Sequence, residues 1–287
     1  MRTEIHKTIH RIVIKIGTSS LTHANGRLSY RRMERMVSVI CDLKNIGYEI
    51  ILVSSGAVGV GLGKTNLSKK PQETVYKRAL AAIGQSNLMA IYEELFSVYD
   101  CQISQILLTK SILQNKKTID NIASAFSILL KHYTVKKQDN KDVYDGIIDF
   151  GTIPIVNEND VVISDNSFGD NDTLSAYVAR FIKADLLIIW SDIDGLYDKD
   201  PRINKDAKIV PMVTNVNKNV YKMAGGTGTS RASKGTGGMI TKLNAARIAM
   251  EAGINMVITN GDEPENLYEI LEGKQIGTYF CASRKKS

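Results

Sequence analysis

Two hydrophobic patterns alternate along this chain. Short runs rich in Val, Ile and Leu predict buried strands, whereas apolar residues at three- and four-residue spacing predict amphipathic helices. The predicted strands are 11–17, the start of 48–61, 103–108, 152–157, 186–191, 254–259 and 276–280. The predicted helices are one capped by Ser29 and ended by Gly47, then 74–98, 118–131, 173–183, 240–252 and a short helix starting at Pro264.

Strands that alternate with helices predict a mostly parallel sheet covered on both faces. Neither a linker nor an internal repeat divides the pattern, so we expect one domain with two lobes. Residues 131–149 are polar, mixed in charge and without clear period, and we interpret them as a partly mobile surface insertion. Open α/β sheets bind ligands at the carboxyl ends of their strands, so we expect function in the loops there.

Composition and charge narrow the class of protein. With 43% hydrophobic and 23% charged residues among 287, the chain resembles an ordinary globular protein. It has no apolar stretch long enough for a bilayer and no signal-peptide core, so a cytoplasmic protein is expected. The three cysteines form no CxxC pair, which favours buried free thiols. A net charge of +7 suits anionic small molecules and also nucleic acid, but no RNA-binding signature accompanies it.

Three of the loops combine glycine with basic or hydroxyl residues. Lys15 precedes Gly17, which excludes a Walker A loop, and the pair suits either a phosphate site or a tight turn. The glycine-rich loop SSGAVGVG (54–61) lets a ligand approach closely but lacks a dinucleotide fingerprint, and an ordinary strand-to-helix turn explains it equally well. Residues 225–242 read as a linker or as a phosphate-covering lid, and the helical pattern that follows Lys242 favours the lid.

Acidic and carboxamide side chains crowd into two further loops, which contain NEND (157–160) and GDND (169–172). An EF-hand is excluded, because Ser175 stands where that loop requires glycine. A further polar segment, SDIDGLYDKDPR, follows the strand 186–191. These loops therefore provide carboxylates without the spacing of a calcium site.

The GDND segment has two interpretations. Asp170 or Asp172 can cap the following helix, since a carboxylate at a helix start accepts backbone N–H bonds. Capping needs only one such residue, however. We therefore expect Asp160, Asn171 and Asp172 also to recognise a ligand that carries an ammonium group.

The positions of the histidines limit the chemistry. His6, His10, His23 and His132 lie outside these loops, so Ser–His or Cys–His catalysis lacks its base. Phosphoryl transfer to a carboxylate needs no base, because a carboxylic acid of pKa about 4.3 is already ionised at neutral pH. Such an enzyme positions two anions and neutralises their charge with lysines, amides and Mg²⁺, and the loops fit that requirement.

Several motifs together give the chain a family resemblance. In chain order they are KIGTSSL, SSGAVGVG, AAIGQSNLM, PIVNENDVV, GDNDTLSA, SDIDGLYDKDPR and GTGGMITKLNAA, and they closely resemble the glutamate 5-kinases of the amino acid kinase family. Segments like DGLYDKDPR are shared across the superfamily and identify only the fold, whereas NEND together with GDND is much more specific to the glutamate enzymes. The resemblance implies a three-layer αβα sandwich that phosphorylates the γ-carboxylate of L-glutamate with ATP and Mg²⁺, the first step of proline biosynthesis.

The resemblance also implies roles for individual residues. Lys15 and Lys242 would stabilise the transferring phosphoryl group, and Asp172 would hold their ammonium groups in place. Glutamate would be bound by Ser55, Gly56, Asp160 and Asn171. The nucleotide would lie against Lys15, Gly17, Ser191, Asp192, Thr236, Gly237, Gly238, Met239, Ile240, Thr241 and Lys242. Gly17 and Gly56 would offer backbone amides to the phosphates or to the transition state. No residue is assigned as a direct metal ligand.

The same resemblance implies organisation and partners. Residues 1–165 would form a glutamate-binding lobe and residues 166–280 a nucleotide-binding lobe. A homo-oligomer, dimer or tetramer, is expected, with neither nucleic acid nor membrane as a partner. Many family members carry a C-terminal PUA domain, and none is expected here. Ser54 stands where threonine is common.

Three alternatives stay open. The chain could be another kinase of this fold, acting on aspartate, N-acetylglutamate or a phosphate monoester. It could be a non-catalytic ligand-binding protein, although Lys15, Asp172 and Lys242 together argue against that. A basic nucleic-acid binder is the third alternative, and it would show steep salt dependence.

Overall fold

The computed structural model describes residues 9–23, 27–65, 67, 71–130, 132–134, 147–162, 167–224 and 238–282. Its strands are β1 (Arg11–Ile16), β2 (Glu49–Ser54), β3 (Ile103–Leu108), β4 (His132–Thr134), β5 (Ile147–Asp149), β6 (Ile153–Glu158), β7 (Leu186–Ser191), β8 (Met212–Val213), β9 (Asn255–Asn260) and β10 (Thr278–Phe280). Its α-helices are α1 (Thr18–Leu21), α2 (Tyr30–Asn45), α3 (Ala57–Lys64), α4 (Thr74–Ser97), α5 (Lys116–Leu129), α6 (Asn171–Phe181), α7 (Lys218–Met223), α8 (Met239–Glu251) and α9 (Asn266–Leu271). A 3₁₀ helix, Lys110–Gln114, precedes α5.

An eight-stranded sheet in the order β3-β6-β2-β1-β7-β9-β10-β8 forms the centre of the structure. Neighbouring strands are parallel except for the antiparallel pair β9 and β10. Strands from the first part of the chain form one half of the sheet, strands from the second part form the other half, and the halves meet at β1 and β7. The carboxyl ends of these two strands are therefore neighbours.

Apolar side chains cover both faces of this sheet. Along β1, Ile12 and Ile14 pack in a cluster with Met33 of α2, whereas Val13 packs in a second cluster with Leu174 of α6. All five side chains are fully buried, as expected for a parallel sheet between two helical layers. The predicted three-layer αβα architecture with a mostly parallel sheet is confirmed.

Long periodic segments match their predictions closely. The strands 103–108 and 186–191 are confirmed at both ends, and α4 ends one residue before the predicted helix 74–98. Helix α8 lies one residue earlier than predicted, and α6 begins two residues before position 173. The short elements α1, β8 and α7 were not predicted, because segments of two to six residues carry too little periodicity.

The glycine-rich segment 54–61 is a strand-to-helix turn, one of its two interpretations, and not a ligand-binding loop throughout: Gly56 turns the chain at φ +107°, and helix α3 begins at Ala57. Two other local expectations were wrong. Ser29 precedes α2, but its side chain makes no capping hydrogen bond. The short helix near Pro264 begins only at Asn266, and the Pro264 carbonyl accepts a bond from the Leu267 amide at 3.1 Å.

The segment 131–149, expected to be an insertion, contributes a small antiparallel pair. The backbones of β4 and β5 pair at its two ends, separately from the main sheet. Residues 131 and 135–146 lie outside the described residues, so the expected mobility stays a prediction.

Two other expectations concern membranes and thiols. Across the described ranges, no helix combines the length and the apolarity that a membrane span requires. Cys41, Cys101 and Cys281 are free and buried, which confirms the prediction of buried thiols.

Helices α3 and α4 touch through their backbones at two glycines. A Cβ placed on Gly61 would stand 1.9 Å from the Leu80 carbonyl oxygen, and one on Gly84 would stand 1.7 Å from the Ala57 carbonyl oxygen. Such distances leave no room for a methyl group. The contact fixes α3, and with it the turn at Gly56, against the long helix α4.

We expect Gly61→Ala to lower the free energy of unfolding by about 2 kcal/mol or more, because the new methyl group would separate α3 from α4. Gly63→Ala is the matched control, since a Cβ there meets nothing within 4 Å. This control should leave stability unchanged or raise it by up to about 1 kcal/mol. Denaturant unfolding of both variants measures the difference, and equal stabilities would contradict the close contact.

Candidate active site

The loops that carry the predicted site residues meet along one edge of the sheet. β6, β2, β1 and β7 are adjacent strands, and they end next to Asp160, Ser55, Gly17 and Asp192 respectively. Because parallel strands place their carboxyl ends at the same edge, these residues surround one region, as the sequence predicts.

Asp172 joins two lysines from distant parts of the chain. Its Oδ1 lies 2.6 Å from Nζ of Lys15, and its Oδ2 lies 3.4 Å from Nζ of Lys242. Thr241 Oγ1 donates a further hydrogen bond to Oδ2 at 2.7 Å. Lys15 is 7% exposed, Asp172 1% and Lys242 5%, so the three charges form a buried ion cluster. The three residues expected to be catalytic are thus in direct contact.

Burial and charge shift the ionisation of this cluster. Burial raises the pKa of Asp172, but the charges of Lys15 and Lys242 outweigh it and hold this pKa below its ordinary value. Burial is the largest influence on the pKa of Lys242 and lowers it; Asp172 opposes that shift and Lys15 adds to it. The net pKa of Lys242 lies below that of an ordinary lysine. Asp172 is therefore ionised at neutral pH, and Lys242 loses its proton more readily than a free lysine.

Asp170 is the cap of helix α6. Its Oδ1 accepts the Thr173 amide hydrogen at 2.7 Å, and its Oδ2 accepts the Thr173 hydroxyl at 3.1 Å. The capping interpretation of GDND is thus confirmed for Asp170. Burial raises the pKa of Asp170, and the charge of Asp172 adds to the shift. The neighbours of Asp170 consequently remain available for other contacts.

A cluster of carboxamides and hydroxyls lies beside the ion cluster. Asn171 Nδ2 donates to the Ser54 carbonyl at 2.8 Å, to Ser55 Oγ at 3.0 Å and to Asn157 Oδ1 at 3.1 Å. Asn157 Nδ2 in turn donates to Gln85 Oε1 at 2.8 Å. Two predicted glutamate-binding residues, Ser55 and Asn171, are therefore in contact.

Sequence reasoning missed Asn157 and Gln85 as individual residues. Asn157 directly follows the apolar part of the predicted strand 152–157, and Gln85 lies within the motif AAIGQSNLM. Both motifs were recognised, so the signal was present. What was missing is the contact between α4 and the end of β6, which a linear pattern does not contain.

Asp160 lies just beyond β6 and is half-buried. Its backbone N–H donates to the Glu158 carbonyl at 3.0 Å. The buried Glu158 carboxylate accepts the Phe168 amide at 2.7 Å and the Ser167 hydroxyl at 3.1 Å. Burial raises the pKa of Glu158 above its ordinary value. Glu158 thus ties the end of β6 to the segment that leads into α6, a structural role that the sequence did not indicate.

The residues expected at the nucleotide lie on the other side of the ion cluster. Gly17 lies directly beside the lysine, since a Cβ there would stand 3.4 Å from Nζ of Lys15. Ser191 Oγ donates to Asp192 Oδ1 at 3.1 Å, and the charge of Asp192 acts on Lys242. Helix α8 starts after Gly238, with Met239 half-buried, Ile240 exposed and Thr241 bound to Asp172. Thr236 and Gly237, together with the rest of the expected lid at 225–237, lie outside the described residues.

Comparison with known proteins agrees with this geometry. The profile of the amino acid kinase family matches residues 10–260. The chain belongs to the amino acid kinase family. A glutamate 5-kinase of Clostridium acetobutylicum is 46% identical over 285 residues, covering 99% of each chain. A glutamate 5-kinase of Caldanaerobacter subterraneus subsp. tengcongensis is 47% identical over 271 residues, covering 94% of this chain and 67% of that relative.

Solved structures support the family at the level of fold. Carbamate kinase from Giardia lamblia bound to AMP-PNP superposes with a TM-score of 0.61 at 14% identity, covering 96% of this chain and 99% of that one. At this identity the likeness shows the fold alone. Membership of the amino acid kinase family implies that the chain is a kinase that uses ATP.

The buried position of Lys242 in this amino acid kinase leads to a pH prediction. The pKa of Lys242 is lower in the folded chain than in the unfolded chain, where it is about 10.4. Between these two values the unfolded chain binds more protons at this group than the folded chain does. The contribution of Lys242 to the free energy of unfolding therefore rises with pH in that window. Carbon-13 NMR of the lysine ε-carbons, assigned with Lys242→Arg, should show Lys242 titrating below free lysine. Lys274 is the internal reference, because Glu269 and Glu272 raise its pKa. Equal midpoints for the two lysines would contradict the assigned environment.

Proposed function

We propose that the chain transfers the γ-phosphoryl group of ATP to the γ-carboxylate of L-glutamate, the first step of proline biosynthesis. The observation that carries the proposal is the buried Lys15–Asp172–Lys242 cluster beside the hydrogen-bonded Ser55–Asn171 pair. The first provides positive charge for a transferring phosphoryl group, and the second provides polar groups for an amino acid. The curated relatives named glutamate 5-kinase support this choice of substrate.

The chemistry requires positioning and charge more than proton transfer. A γ-carboxylate of pKa about 4.3 is ionised at neutral pH and needs no general base. Its oxygen attacks the γ-phosphorus, the bond from that phosphorus to the β–γ bridging oxygen breaks, and ADP leaves with the electron pair. Both reactants are anionic, so groups that reduce their repulsion accelerate the step.

Lys15 and Lys242 would stabilise the transferring phosphoryl group. Asp172 would keep their ammonium groups at fixed positions, since it contacts both. Two ammonium groups on one carboxylate leave a positive charge in excess within this cluster, which favours an anion beside it. Gly17 and Gly56 would offer backbone amides to the phosphates.

Substrate binding would divide between the two halves of the sheet. Ser55, Gly56, Asp160 and Asn171 would bind glutamate, with Asp160 facing its ammonium group. Gly17, Ser191 and Asp192 and the segment Thr236–Lys242 would border the nucleotide. Residues 1–165 would thus form the glutamate lobe and residues 166–280 the nucleotide lobe.

Mg²⁺ would enter with the nucleotide. Within the described part of the chain, no group of three or more His, Cys, Asp or Glu side chains is placed to hold a metal ion. The donor set fits an ion held mainly by phosphate oxygens, as Mg²⁺ prefers. When bound, the ion neutralises phosphate charge.

Assembly and location complete the proposal. A homo-oligomer, a cytoplasmic location and the absence of nucleic-acid and membrane partners remain predictions. The glutamate 5-kinase of Caldanaerobacter subterraneus subsp. tengcongensis extends beyond the matched region, since the chain covers 67% of it.

A coupled assay of ADP release should show turnover with L-glutamate in the presence of Mg-ATP. Hydroxylamine should trap the acyl phosphate product. We expect kcat/KM at least about 100-fold higher for L-glutamate than for L-aspartate, N-acetyl-L-glutamate or a phosphate monoester. N-acetyl-L-glutamate and the phosphate monoester lack the ammonium group with which the site pairs. L-aspartate has that group but is one methylene shorter, which displaces its side-chain carboxylate from the transferring phosphoryl group. Faster turnover of any of these alternatives would overturn the proposed substrate.

Lys242→Ala should lower kcat by about 100- to 1,000-fold, because it removes a cation that acts on the developing phosphoryl charge. The Kd for glutamate, measured by calorimetry, should change by less than about threefold. The variant should still fold, since Lys15 and Asp172 remain as a paired buried couple. Lys222→Ala, on the exposed side of α7, is the control and should behave as wild type. An unchanged kcat in Lys242→Ala would remove Lys242 from the mechanism.

A further inference from the structure

Three carboxamide side chains form a continuous hydrogen-bonded line beside the proposed glutamate site. Gln85 comes from α4, Asn157 from the end of β6 and Asn171 from the start of α6. Asn157 Nδ2 donates to Gln85 Oε1 at 2.8 Å, and Asn171 Nδ2 donates to Asn157 Oδ1 at 3.1 Å. Gln85 and Asn171 are half-buried, and Asn157 is 4% exposed. The line therefore runs from the long helix to the site.

Backbone groups determine the orientation of the whole line. The Ser54 carbonyl can only accept, so the atom of Asn171 that contacts it at 2.8 Å must be Nδ2. The Glu158 N–H can only donate, so the atom of Asn157 that contacts it at 2.9 Å must be Oδ1. Asn157 Nδ2 then faces Gln85, so the atom of Gln85 that accepts this hydrogen bond is Oε1. No carboxamide can be reversed without losing a bond.

This polarity decides which atom of Asn171 is left for a ligand. Its Nδ2 has three partners, whereas no hydrogen bond among the described residues uses its Oδ1. An amide oxygen accepts hydrogen bonds and suits an ammonium group, and it does not suit a carboxylate. A reversed Asn171 would present a donor instead and favour the opposite charge.

Gln85 adds to the backbone groups that hold this polarity, because its helix is fixed in place. The preceding residue, Gly84, lies against the Ala57 carbonyl, where even one methyl group would not fit. One face of α4 also carries the fully buried Tyr92, whose hydroxyl is 2.8 Å from Ser54 Oγ. Helix α4 therefore contacts the turn after β2 on both sides of Gln85.

We propose that Gln85 is a positioning residue for recognition of the substrate's ammonium group. It accepts a hydrogen bond from Asn157, and Asn157 in turn orients Asn171 so that Oδ1 faces the ligand. The inference rests on the proposed function, since L-glutamate carries the ammonium group concerned. Gln85 would contact neither the phosphates nor the reacting carboxylate, so its effect belongs to amino acid binding.

The test compares three variants and two ligands. Gln85→Met removes the acceptor at similar size, and Gln85→Glu retains an acceptor oxygen. Asn87→Met changes a carboxamide of the same helix that donates to the Ile83 carbonyl, within its own helix. Glutarate, which is glutamate without its ammonium group, is the second ligand and is measured as a competitive inhibitor. Thermal unfolding of each variant monitors folding.

Gln85→Met should raise KM for glutamate by about tenfold, the size expected when one buried hydrogen-bond partner is lost. The kcat and the KM for ATP should stay within about threefold of wild type, as should the inhibition constant of glutarate. Gln85→Glu should keep KM for glutamate within about threefold, because Asn157 still finds an acceptor. Asn87→Met should match wild type. If Gln85→Met does not fold, Gln85→Ala takes its place.

Two results would overturn the inference. One is an unchanged KM for glutamate in Gln85→Met; the other is an equal loss of glutamate and glutarate affinity, which would indicate a damaged pocket. If wild type shows no glutamate-dependent turnover, the proposed function fails on its own. Calorimetric Kd values for glutamate and glutarate, measured on the same variants, then test the inference separately. A higher ratio of the glutamate Kd to the glutarate Kd in Gln85→Met than in wild type supports the inference, and an unchanged ratio overturns it.

Discussion

The buried carboxylate of Asp172 is the constraint on which this site depends. It pairs with Lys15 at the end of β1 and with Lys242 in α8, so it joins the two halves of the sheet where they meet. Removing one partner of a buried ion pair costs several kcal/mol in measured cases, about 3–5, because a charge is left uncompensated. The cluster therefore holds the loops in register, and its excess positive charge makes an anion a favourable addition.

Helix α4 supplies the second constraint, on the amino acid side. Its backbone touches α3 at Gly61 and Gly84, which fixes the turn at Gly56. The same helix contacts Ser54 through Tyr92 and Asn157 through Gln85. Helix α4 thus orients the polar groups at the carboxyl ends of β2 and β6. The ion cluster orients the charged groups of β1 and α6. A site built on such rigid support needs little reorganisation when its ligands bind.

The fold could be predicted largely from local pattern. Buried strands such as 103–108 and 186–191 carry continuous apolar runs, and α4 and α8 carry helical spacing over many residues. The errors occur where tertiary contacts override local preference. The glycines of 54–61 are typical of a loop or a turn, yet Ala57–Lys64 is helical. Gly61 serves there to let this helix pack closely against α4, a contact that a linear pattern does not contain. Short elements such as β8 depend on their neighbours in the sheet and leave no periodic signal.

The sequence by itself determined the residue types of the site, the order of its motifs and their position after strands, because strand and helix periodicity are local properties. It also determined that Asp170 could cap α6. Only the tertiary structure decided that Asp172 contacts both lysines, that Asn171 meets Ser55, and that Gln85 reaches Asn157. The residues of each pair are separated by 70 to 157 positions in the sequence, and their geometry follows from sheet order and helix packing. Side-chain polarity at the site is set by such contacts, since each carboxamide can point either way until its neighbours fix it.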